Sequence, residues 1–191
     1  MAIDRKEQIY HTAGSLFSER GYSATTVRDI ARELNMQAGS LYAHIDSKED
    51  VLWQIVNSAA DQFLSAVSPI AGSDKTPADK LRHMVRAHVQ VVSDNMANAT
   101  IFLHEWKFLG DARRASVASR RNAYEALYRD VLEEGTRNGD FAPIDTKMAA
   151  LLVLSVVNWM PQWYNPGGPL SPLQVADSFS DLILKGLEPR T

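Results

Sequence analysis

The sequence of 191 residues contains no cysteine. A disulfide, a thiolate metal ligand and a thiol nucleophile are therefore all excluded. Long hydrophobic runs are missing as well: the longest, residues 148–160, is interrupted by Ser155 and Asn158 and is too short to span a bilayer. The N-terminus lacks the apolar segment of a signal peptide. We therefore expect a soluble, cytoplasmic protein.

Neither sign of charge is in large excess. The chain has 20 Lys and Arg against 23 Asp and Glu, a net charge of -3. Up to Lys48 the basic and acidic residues balance: Arg5, Lys6, Arg20, Arg28, Arg32 and Lys48 against Asp4, Glu7, Glu19, Asp29, Glu33 and Asp46. This balance excludes a protein that holds nucleic acid by bulk electrostatic attraction alone, so DNA binding must depend on geometry.

The motifs of common catalytic classes are also missing. The sequence has no G-x-S-x-G nucleophile elbow, no H-E-x-x-H zinc motif and no Walker phosphate loop. His83 and His88 lie five residues apart, a poor spacing for two ligands on one helical face. We therefore predict that the protein is not an enzyme and uses neither a metal nor a cofactor.

Helical periodicity is present along nearly the whole chain. Because no stretch of strand length alternates with period two, we predict an all-α protein. A first helix, ending before Gly21, has an inward stripe formed by Ile9, Ala13, Leu16 and Phe17. Later helices are predicted at roughly 77–94, 96–107, 111–138, 145–160 and 172–186, with a loop at 68–73 and helix stops at Gly139 and Gly186.

Capping residues predict two helix starts more sharply. Asp46 or Ser47 can cap a fourth helix, since an acidic residue follows each of them three positions later. The segment 171–174, Ser-Pro-Leu-Gln, is a capping box with proline at the first helical position.

Two very short helical patterns follow one another in the stretch TTVRDIARELNMQAGSLYAHI, residues 25–45. The first has two turns, can be capped by Thr25 or Thr26, and is followed by a turn at residues 35–36. Leu41 and Ile45 mark the inward side of a third helix that begins near residue 37. This pattern indicates a helix-turn-helix, whose second member can enter a DNA major groove. Its outward residues are Gln37, Ser40, Tyr42 and His44, side chains that suit base edges and phosphates.

The run from Gly21-Tyr22 through TTVRDIA to GSLYAHIDSKEDVL resembles the N-terminal DNA-binding domain of the TetR family of bacterial transcriptional regulators. The resemblance extends from about residue 6 to residue 52. It implies that Thr26 and Lys48 hold phosphates from helix N-termini, and that Tyr42 and His44 hold the DNA backbone. It also implies that Arg28, Gln37, Ala38 and Ser40 face the bases. Ile45 stands where the family usually has phenylalanine, a conservative change in the core.

By this resemblance residues 1–47 form a three-helix helix-turn-helix DNA-binding domain, and residues 48–191 a helical ligand-binding and dimerisation domain. The pattern agrees, because residues 148–157 and 179–184 are apolar on nearly all sides and must be covered on more than one face. We expect the cover to come from a second subunit, giving a four-helix interface in a two-fold homodimer. Such a dimer would place two recognition helices in successive grooves of a near-palindromic operator DNA. A fully intramolecular core is the alternative.

Residues that can line a ligand cavity cluster in two places. Phe102, Glu105 and Trp106 lie on one predicted helix, and Trp159 and Trp163 surround a break at residue 161. Most aromatic side chains at such positions belong to a core or an interface, which is the alternative for each of them.

Arginines recur on the long helix predicted at 111–138. Arg113, Arg114, Arg120 and Arg121 accompany Tyr124 at helical steps. Because a guanidinium pairs with phosphate bidentately, these side chains can bind a phosphorylated ligand. A solvated basic face is the alternative.

Three segments, FLHEW, the run at 120–124 and NWMPQWYNPGGPLSP, resemble the branch of TetR regulators that responds to acyl-CoA thioesters in fatty-acid, sterol or aromatic-acid catabolism. The resemblance implies that the arginines meet the CoA phosphates and that an apolar tunnel takes the acyl chain. It implies a repressor released by its effector, because acyl-CoA favours a conformer that no longer fits the operator. The fourth helix would connect the two sites.

Two other functions remain open. The first is a TetR-family repressor of efflux genes that senses lipophilic cations or drugs through aromatic faces and Glu105. The second is a dimeric interaction protein that has lost DNA binding.

Overall fold

The structure is a computed structural model that describes residues 4–189. These residues form nine α-helices: α1 Arg5–Arg20, α2 Val27–Glu33, α3 Ala38–Leu41, α4 Lys48–Ala71, α5 Pro77–Asp94, α6 Met96–His104, α7 Asp111–Asn138, α8 Thr146–Asn158 and α9 Pro172–Leu187. Two single-turn 3-10 helices, η1 at Trp106–Phe108 and η2 at Met160–Gln162, complete the secondary structure. Over that range there is no β-strand, which confirms the all-α prediction. None of these helices is long and apolar enough to cross a membrane.

The chain divides into two compact units, described here one at a time. Unit 1 comprises the residues up to Ala60 together with Met96–Ser119, and unit 2 comprises Asp61–Asn95 together with the residues from Arg120 onward. Helices α4 and α7 therefore each contribute residues to both units.

Unit 1 is built around α1, which packs against α2 and α6. The predicted stripe of α1 is buried, and Ile30, Leu41 and Leu52 from the following helices are also fully buried. Thr26 caps α2 in a capping box with Asp29, and Gly21 ends α1 with a φ of 85° that suits a residue without Cβ.

Unit 2 is built around α5, which packs mainly against α9 and also contacts α8 and η2. The inward stripe of α5 consists of Leu81, Met84, Val85, His88, Val89 and Val92. Two arginines of α5 join it to α9: Arg82 pairs with Asp181 and Arg86 with Asp177, each at 2.6 Å. The capping box at Ser171 begins α9 as the sequence predicts.

Two predicted helix ends, at 68–73 and at Gly186, are wrong. The loop expected at 68–73 is largely helical, because α4 continues through Pro69 to Ala71. Pro69 lies in the last turn of α4, where its missing N–H removes only one hydrogen bond. Gly72 N still donates to the Ser68 carbonyl at 3.1 Å. Gly186 does not stop α9, which ends one residue later at Leu187.

The helices predicted at 96–107 and 145–160 are each shorter than expected. Helix α6 ends at His104 and α8 at Asn158, and in both cases a single 3-10 turn follows. A 3-10 turn is a common way to tighten the end of an α-helix, and hydrophobic periodicity does not distinguish the two.

Candidate nucleic-acid interface and ligand region

The α2–α3 turn in unit 1 has the geometry that the sequence predicts for a helix-turn-helix. Asn35 adopts a left-handed conformation with a φ of 53°, and Met36 N donates to the Ala31 carbonyl at 2.8 Å. Leu41 and Ile45 are buried and anchor the inward side of α3. The turn and these two apolar residues therefore fix which side of α3 faces solvent.

The outward side of α3 carries the side chains that were predicted to meet DNA. Helix α3 is shorter than the sequence predicts: Gln37 is its N-cap, Ser40 lies on it, and His44 lies in the turn that follows it. All three side chains are exposed. Tyr42 has 56% of its surface exposed. Ala38 is half-buried, and Arg28 is exposed on the preceding helix α2.

Thr26 is engaged within its own capping box. Its hydroxyl donates to Asp29 Oδ2 at 2.5 Å and accepts from Asp29 N at 3.2 Å. The hydrogen bond from Thr26 lowers the pKa of Asp29 below its usual value, so Asp29 is ionised at neutral pH. The carboxylate therefore holds the start of α2 rigidly.

Lys48, at the first position of α4, clamps the loop between α1 and α2. Its Nζ donates to the Tyr22 carbonyl at 2.8 Å and to the Thr25 carbonyl at 2.7 Å, and it lies 4.0 Å from the centre of the Tyr22 ring. Partial burial lowers the pKa of Lys48. Two of its three ammonium hydrogens are thus used within unit 1, which leaves one for a phosphate.

Sequence reasoning missed two residues that take part in this clamp: Tyr22, which Lys48 contacts, and Glu105, which holds Tyr22. Tyr22 N donates to Glu105 Oε2 at 2.9 Å, so a residue that was predicted to line a ligand cavity instead holds the loop. The Gly21-Tyr22 pair was part of the motif, but nothing local in the sequence indicated this partner.

The arginine-rich helix is extensively ion-paired. In unit 1, Arg113 pairs with Glu49 at 3.2 Å and with Asp50, and its guanidinium lies 5.7 Å from the Trp53 ring. The hydrogen bond that Arg113 donates to Asp50 raises the pKa of Arg113. Arg114 pairs with Asp111 at 2.5 Å.

Two further arginines of α7 lie in unit 2. Arg120 pairs with Asp61. Arg121 is half-buried, and desolvation by that burial lowers its pKa.

The nine predicted ligand residues are distributed over several places. Phe102, Glu105, Trp106 and Arg113 belong to unit 1, where Phe102 is buried and Trp106 forms part of η1. In unit 2, Tyr124 is buried in the core, whereas Trp159 and Trp163 are exposed. Trp159 and Trp163 line one hollow, and Tyr124 is not part of its lining.

Tyr124 belongs to an aromatic cluster in unit 2 that consists of Phe63, His88, Tyr124 and Tyr128. His88 Nδ1 lies 2.9 Å from Tyr124 Oη, and its ring centre lies 4.8 Å from that of Phe63. Burial lowers the pKa of His88 to about 3 and raises that of Tyr124. Sequence reasoning considered His88 only as a metal ligand, although its place on the apolar stripe of α5 could have marked it as a core residue.

A wide apolar surface lies across α8 and α9. Leu152 is 64% exposed and Leu182 is 71% exposed, and they border a hollow of about 330 Å³ that is lined almost entirely by apolar side chains. A second hollow of about 400 Å³ is formed by Ser155, Val156, Trp159, Trp163 and Phe179. We define the α8–α9 face as the exposed residues that line these two hollows. They lie on α8, on α9, and at Trp159 and Trp163, which follow α8.

No metal centre is visible in the described part of the chain. Residues 4–189 contain no group of three His, Asp or Glu side chains arranged to hold a metal ion.

Comparisons with known proteins cover both parts of the chain. Residues 9–55 match the family described as "Bacterial regulatory proteins, tetR family". Residues 74–187 match the family described as "Tetracyclin repressor-like, C-terminal domain".

Individual relatives match over nearly their whole length. The HTH-type transcriptional repressor KstR2 of Mycolicibacterium smegmatis is 30% identical over 185 residues, which is 96% of this chain and 90% of that protein. The structure of the ketosteroid transcriptional regulator KstR2 of Mycobacterium tuberculosis has a TM-score of 0.93 at 28% identity, covering 100% of this chain and 98% of the other.

A structure of AibR in complex with isovaleryl coenzyme A and operator DNA has a TM-score of 0.84 at 29% identity, covering 94% of this chain and 97% of the other. The helix-turn-helix in unit 1, the match of more than half of the chain to one family and the similarity to these repressors lead to one assignment: the chain belongs to the TetR family of bacterial transcriptional regulators.

Proposed function

We propose that the protein is a ligand-responsive transcriptional repressor that binds a near-palindromic operator as a homodimer and is released by an acyl-CoA. In this proposal residues 1–47 bind DNA and residues 48–191 bind the ligand and dimerise. The observation that carries it is the outward side of α3, where Gln37, Ser40 and His44 are exposed while Leu41 and Ile45 are buried.

The DNA contacts follow from this exposure. Arg28, Gln37, Ala38 and Ser40 face the bases, and Thr26, Tyr42, His44 and Lys48 hold the phosphate backbone. Polar side chains and backbone amides bind phosphate without a net positive charge, which suits the balanced charge of this region. We therefore expect modest affinity for nonspecific DNA.

The α8–α9 face supports the homodimer. Large apolar side chains such as Leu152, Trp159 and Leu182 are more than half exposed in the single chain. An apolar patch of this kind marks an interaction surface, and a two-fold axis would pair α8 and α9 with the same helices of a second copy.

The relatives support an acyl-CoA effector. AibR is described in complex with isovaleryl coenzyme A and operator DNA, and its structure matches 94% of this chain. In our proposal Phe102, Trp106, Trp159 and Trp163 contribute to the acyl site. Arg113, Arg120 and Arg121 contribute to binding of the CoA phosphates. Because Arg113 and Arg120 already pair with carboxylates, a phosphate must replace a carboxylate at each of them.

The burial pattern argues against the alternative of a lipophilic cation. A buried carboxylate is the usual partner of a desolvated cation. The buried polar and charged residues among 4–189 are Thr25, Lys80, His88 and Ser180, and none of these is a carboxylate. Glu105, the acid considered for this role, accepts a hydrogen bond from Tyr22 N.

The mechanism is a shift between two populations. An effector can release DNA only by the difference between its affinities for the operator-binding conformer and for another conformer. The acyl-CoA therefore binds more tightly to a conformer whose two α3 helices do not match the groove spacing.

Calorimetric titration tests the effector class. We expect a short-chain, a long-chain or an aromatic acyl-CoA to bind at micromolar strength, and the free acids to show no binding. The variant Arg120→Ala with Arg121→Ala should lose the thioester, whereas Arg114→Ala, whose partner is on its own helix, should keep it. Binding of a lipophilic cation such as ethidium, with no binding of any thioester, would contradict the proposed effector.

A further inference from the structure

The aromatic cluster of unit 2 contains a histidine that is almost completely enclosed. His88 is 1% exposed and lies on the inward stripe of α5, with Phe63 on one side and Tyr124 on another. Tyr124 in turn contacts Tyr128, which is fully buried. The cluster is therefore an apolar environment with three polar tips.

Hydrogen bonds join the polar tips of the cluster. Tyr128 Oη donates to the Met84 carbonyl at 3.2 Å. Tyr124 Oη lies 2.9 Å from His88 Nδ1 and 3.4 Å from Tyr128 Oη. Either tautomer of the neutral His88 ring can form the 2.9 Å hydrogen bond, with Nδ1 or the Tyr124 hydroxyl as the donor. In both cases this bond uses Nδ1, and Nε2 remains to bond another group.

His88 Nε2 is left unsatisfied in this conformer. The atom is buried, and none of the residues that the structure describes lies within hydrogen-bonding distance of it. The other buried polar side chains of unit 2, Lys80 and Ser180, are satisfied: Lys80 pairs with Glu134 at 2.8 Å, and Ser180 donates to the Ala176 carbonyl at 2.7 Å. A buried polar atom without a partner is rare and destabilises the conformer that contains it.

We infer that His88 is the polar anchor of the effector site, where Nε2 forms a hydrogen bond with an uncharged polar group of the bound ligand. This inference rests on the proposed effector-responsive function. The cluster must open to admit the ligand, because Nε2 is sealed in the conformer described here. The hydrogen bond exists only in the opened, ligand-bound conformer, so it contributes to the difference in affinity that shifts the population.

The chemistry of the anchor restricts the ligand group to an uncharged one. Burial lowers the pKa of His88 to about 3, so the ring cannot pair with a carboxylate at neutral pH. Its apolar surroundings also disfavour an ammonium group. Two parts of an acyl-CoA offer uncharged groups that form hydrogen bonds: a hydroxyl on the acyl chain, and the amide and thioester groups that every acyl-CoA shares.

Two variants separate anchoring from packing. His88→Leu keeps a similar volume and removes both ring nitrogens, whereas His88→Gln keeps an amide oxygen that can accept at about the reach of Nε2. Ser180→Ala is the matched control, because it removes another fully buried polar group of unit 2.

The probes are butanoyl-CoA and 3-hydroxybutanoyl-CoA, titrated against the full chain by calorimetry. We expect His88→Leu to weaken binding of the better ligand at least tenfold without lowering the temperature of unfolding. His88→Gln should restore binding to within about threefold of the unmodified chain. Ser180→Ala should bind like the unmodified chain. A loss confined to the hydroxyacyl thioester assigns the contact to the acyl hydroxyl, and an equal loss for both assigns it to a group that the two thioesters share. Unchanged binding by His88→Leu overturns the inference, as does a variant that loses binding only because it unfolds earlier and is not rescued by glutamine.

A readout without ligand keeps this inference separate from the proposed function. If neither thioester binds the unmodified chain, the acyl-CoA proposal fails. The 15N resonances of His88 in the ligand-free protein still test the anchor: a neutral ring whose Nε2 has no hydrogen-bond partner supports it. A hydrogen-bonded Nε2, or a cationic ring at neutral pH, overturns it.

Discussion

Lys48 determines how firmly the loop between α1 and α2 is held in unit 1. Its two hydrogen bonds go to the Tyr22 and Thr25 carbonyls, which would otherwise lack these partners. Lys48→Met should therefore lower the free energy of unfolding by about 1–2 kcal/mol, because hydrogen bonds from a charged donor stabilise by roughly that amount. Urea denaturation measures the change.

The matched control for Lys48 is Lys75→Met, at an exposed lysine before α5. Surface substitutions of this kind change stability by no more than about 0.5 kcal/mol. If Lys48→Met loses operator affinity but unfolds like the unmodified chain, Lys48 acts on phosphate alone and its clamp has no energetic weight.

His88 should make the stability of the protein depend on pH. Its pKa is about 3 in the folded chain and about 6.5 in an unfolded one, so below pH 6.5 the unfolded chain binds a proton that the folded chain does not. Stability is therefore fully present above pH 6.5 and falls with pH between these values, by about 2 kcal/mol between pH 7.5 and pH 5. Urea denaturation of His88→Gln over the same range should lack this contribution. A variant with the same pH dependence as the unmodified chain would contradict the burial of a neutral histidine.

The long helix α7 has a glycine, Gly135, at the position where the buried ring of Phe141 packs against it. A Cβ at Gly135 would overlap the buried ring of Phe141, so Gly135→Ala should destabilise the protein. We expect a loss of about 1–3 kcal/mol from overpacking, which outweighs the roughly 0.5–1 kcal/mol that alanine adds to a helix.

Gly39→Ala is the control for this prediction, since no atom lies within 4 Å of its added Cβ. It should leave stability unchanged or raise it slightly. Thermal unfolding of both variants checks the comparison, and an equal effect at the two glycines would mean that Phe141 does not restrict α7.

Helix boundaries show what the sequence could predict and what it could not. The cap at Thr26, the turn at Asn35 and the box at Ser171 depend on residues within four positions, so local patterns predicted them. The helix end expected near Pro69 was wrong, because a proline in a last turn removes only one hydrogen bond.

The candidate sites, too, were predictable only where residues close in the sequence determine the structure. Periodicity separates Leu41 from its exposed neighbours on α3, which identifies the outward side chains. It cannot tell that Tyr124 is buried while Trp159 is 60% exposed, because that depends on which helices pack across the unit. Pairings such as Lys48 with the Tyr22 carbonyl are also set by tertiary packing.

The assembled molecule should be a dimer held by the α8–α9 face. Leu182 is 71% exposed in the single chain, so Leu182→Glu should leave the protomer folded and place a charge in the interface. Analytical ultracentrifugation should give the mass of a dimer for the unmodified chain and of a monomer for the variant.

Tyr42→Ala is the control for the dimer, because Tyr42 is similarly exposed but belongs to unit 1. It should keep the mass of a dimer and lose operator affinity by on the order of 1 kcal/mol, the contribution of one contact with the DNA backbone. A dimeric Leu182→Glu would place the interface elsewhere.

Release of operator DNA by a thioester tests the central claim most directly. A fluorescent duplex would first be selected from a random pool by the unmodified protein. The complex of protein and duplex would then be titrated with an acyl-CoA that calorimetry shows to bind, and the anisotropy of the duplex recorded. We predict that the thioester lowers the anisotropy to that of free duplex, while an equimolar mixture of CoA and the free acid leaves it unchanged. A complex that stays intact with the thioester bound at saturation would contradict an acyl-CoA-released repressor.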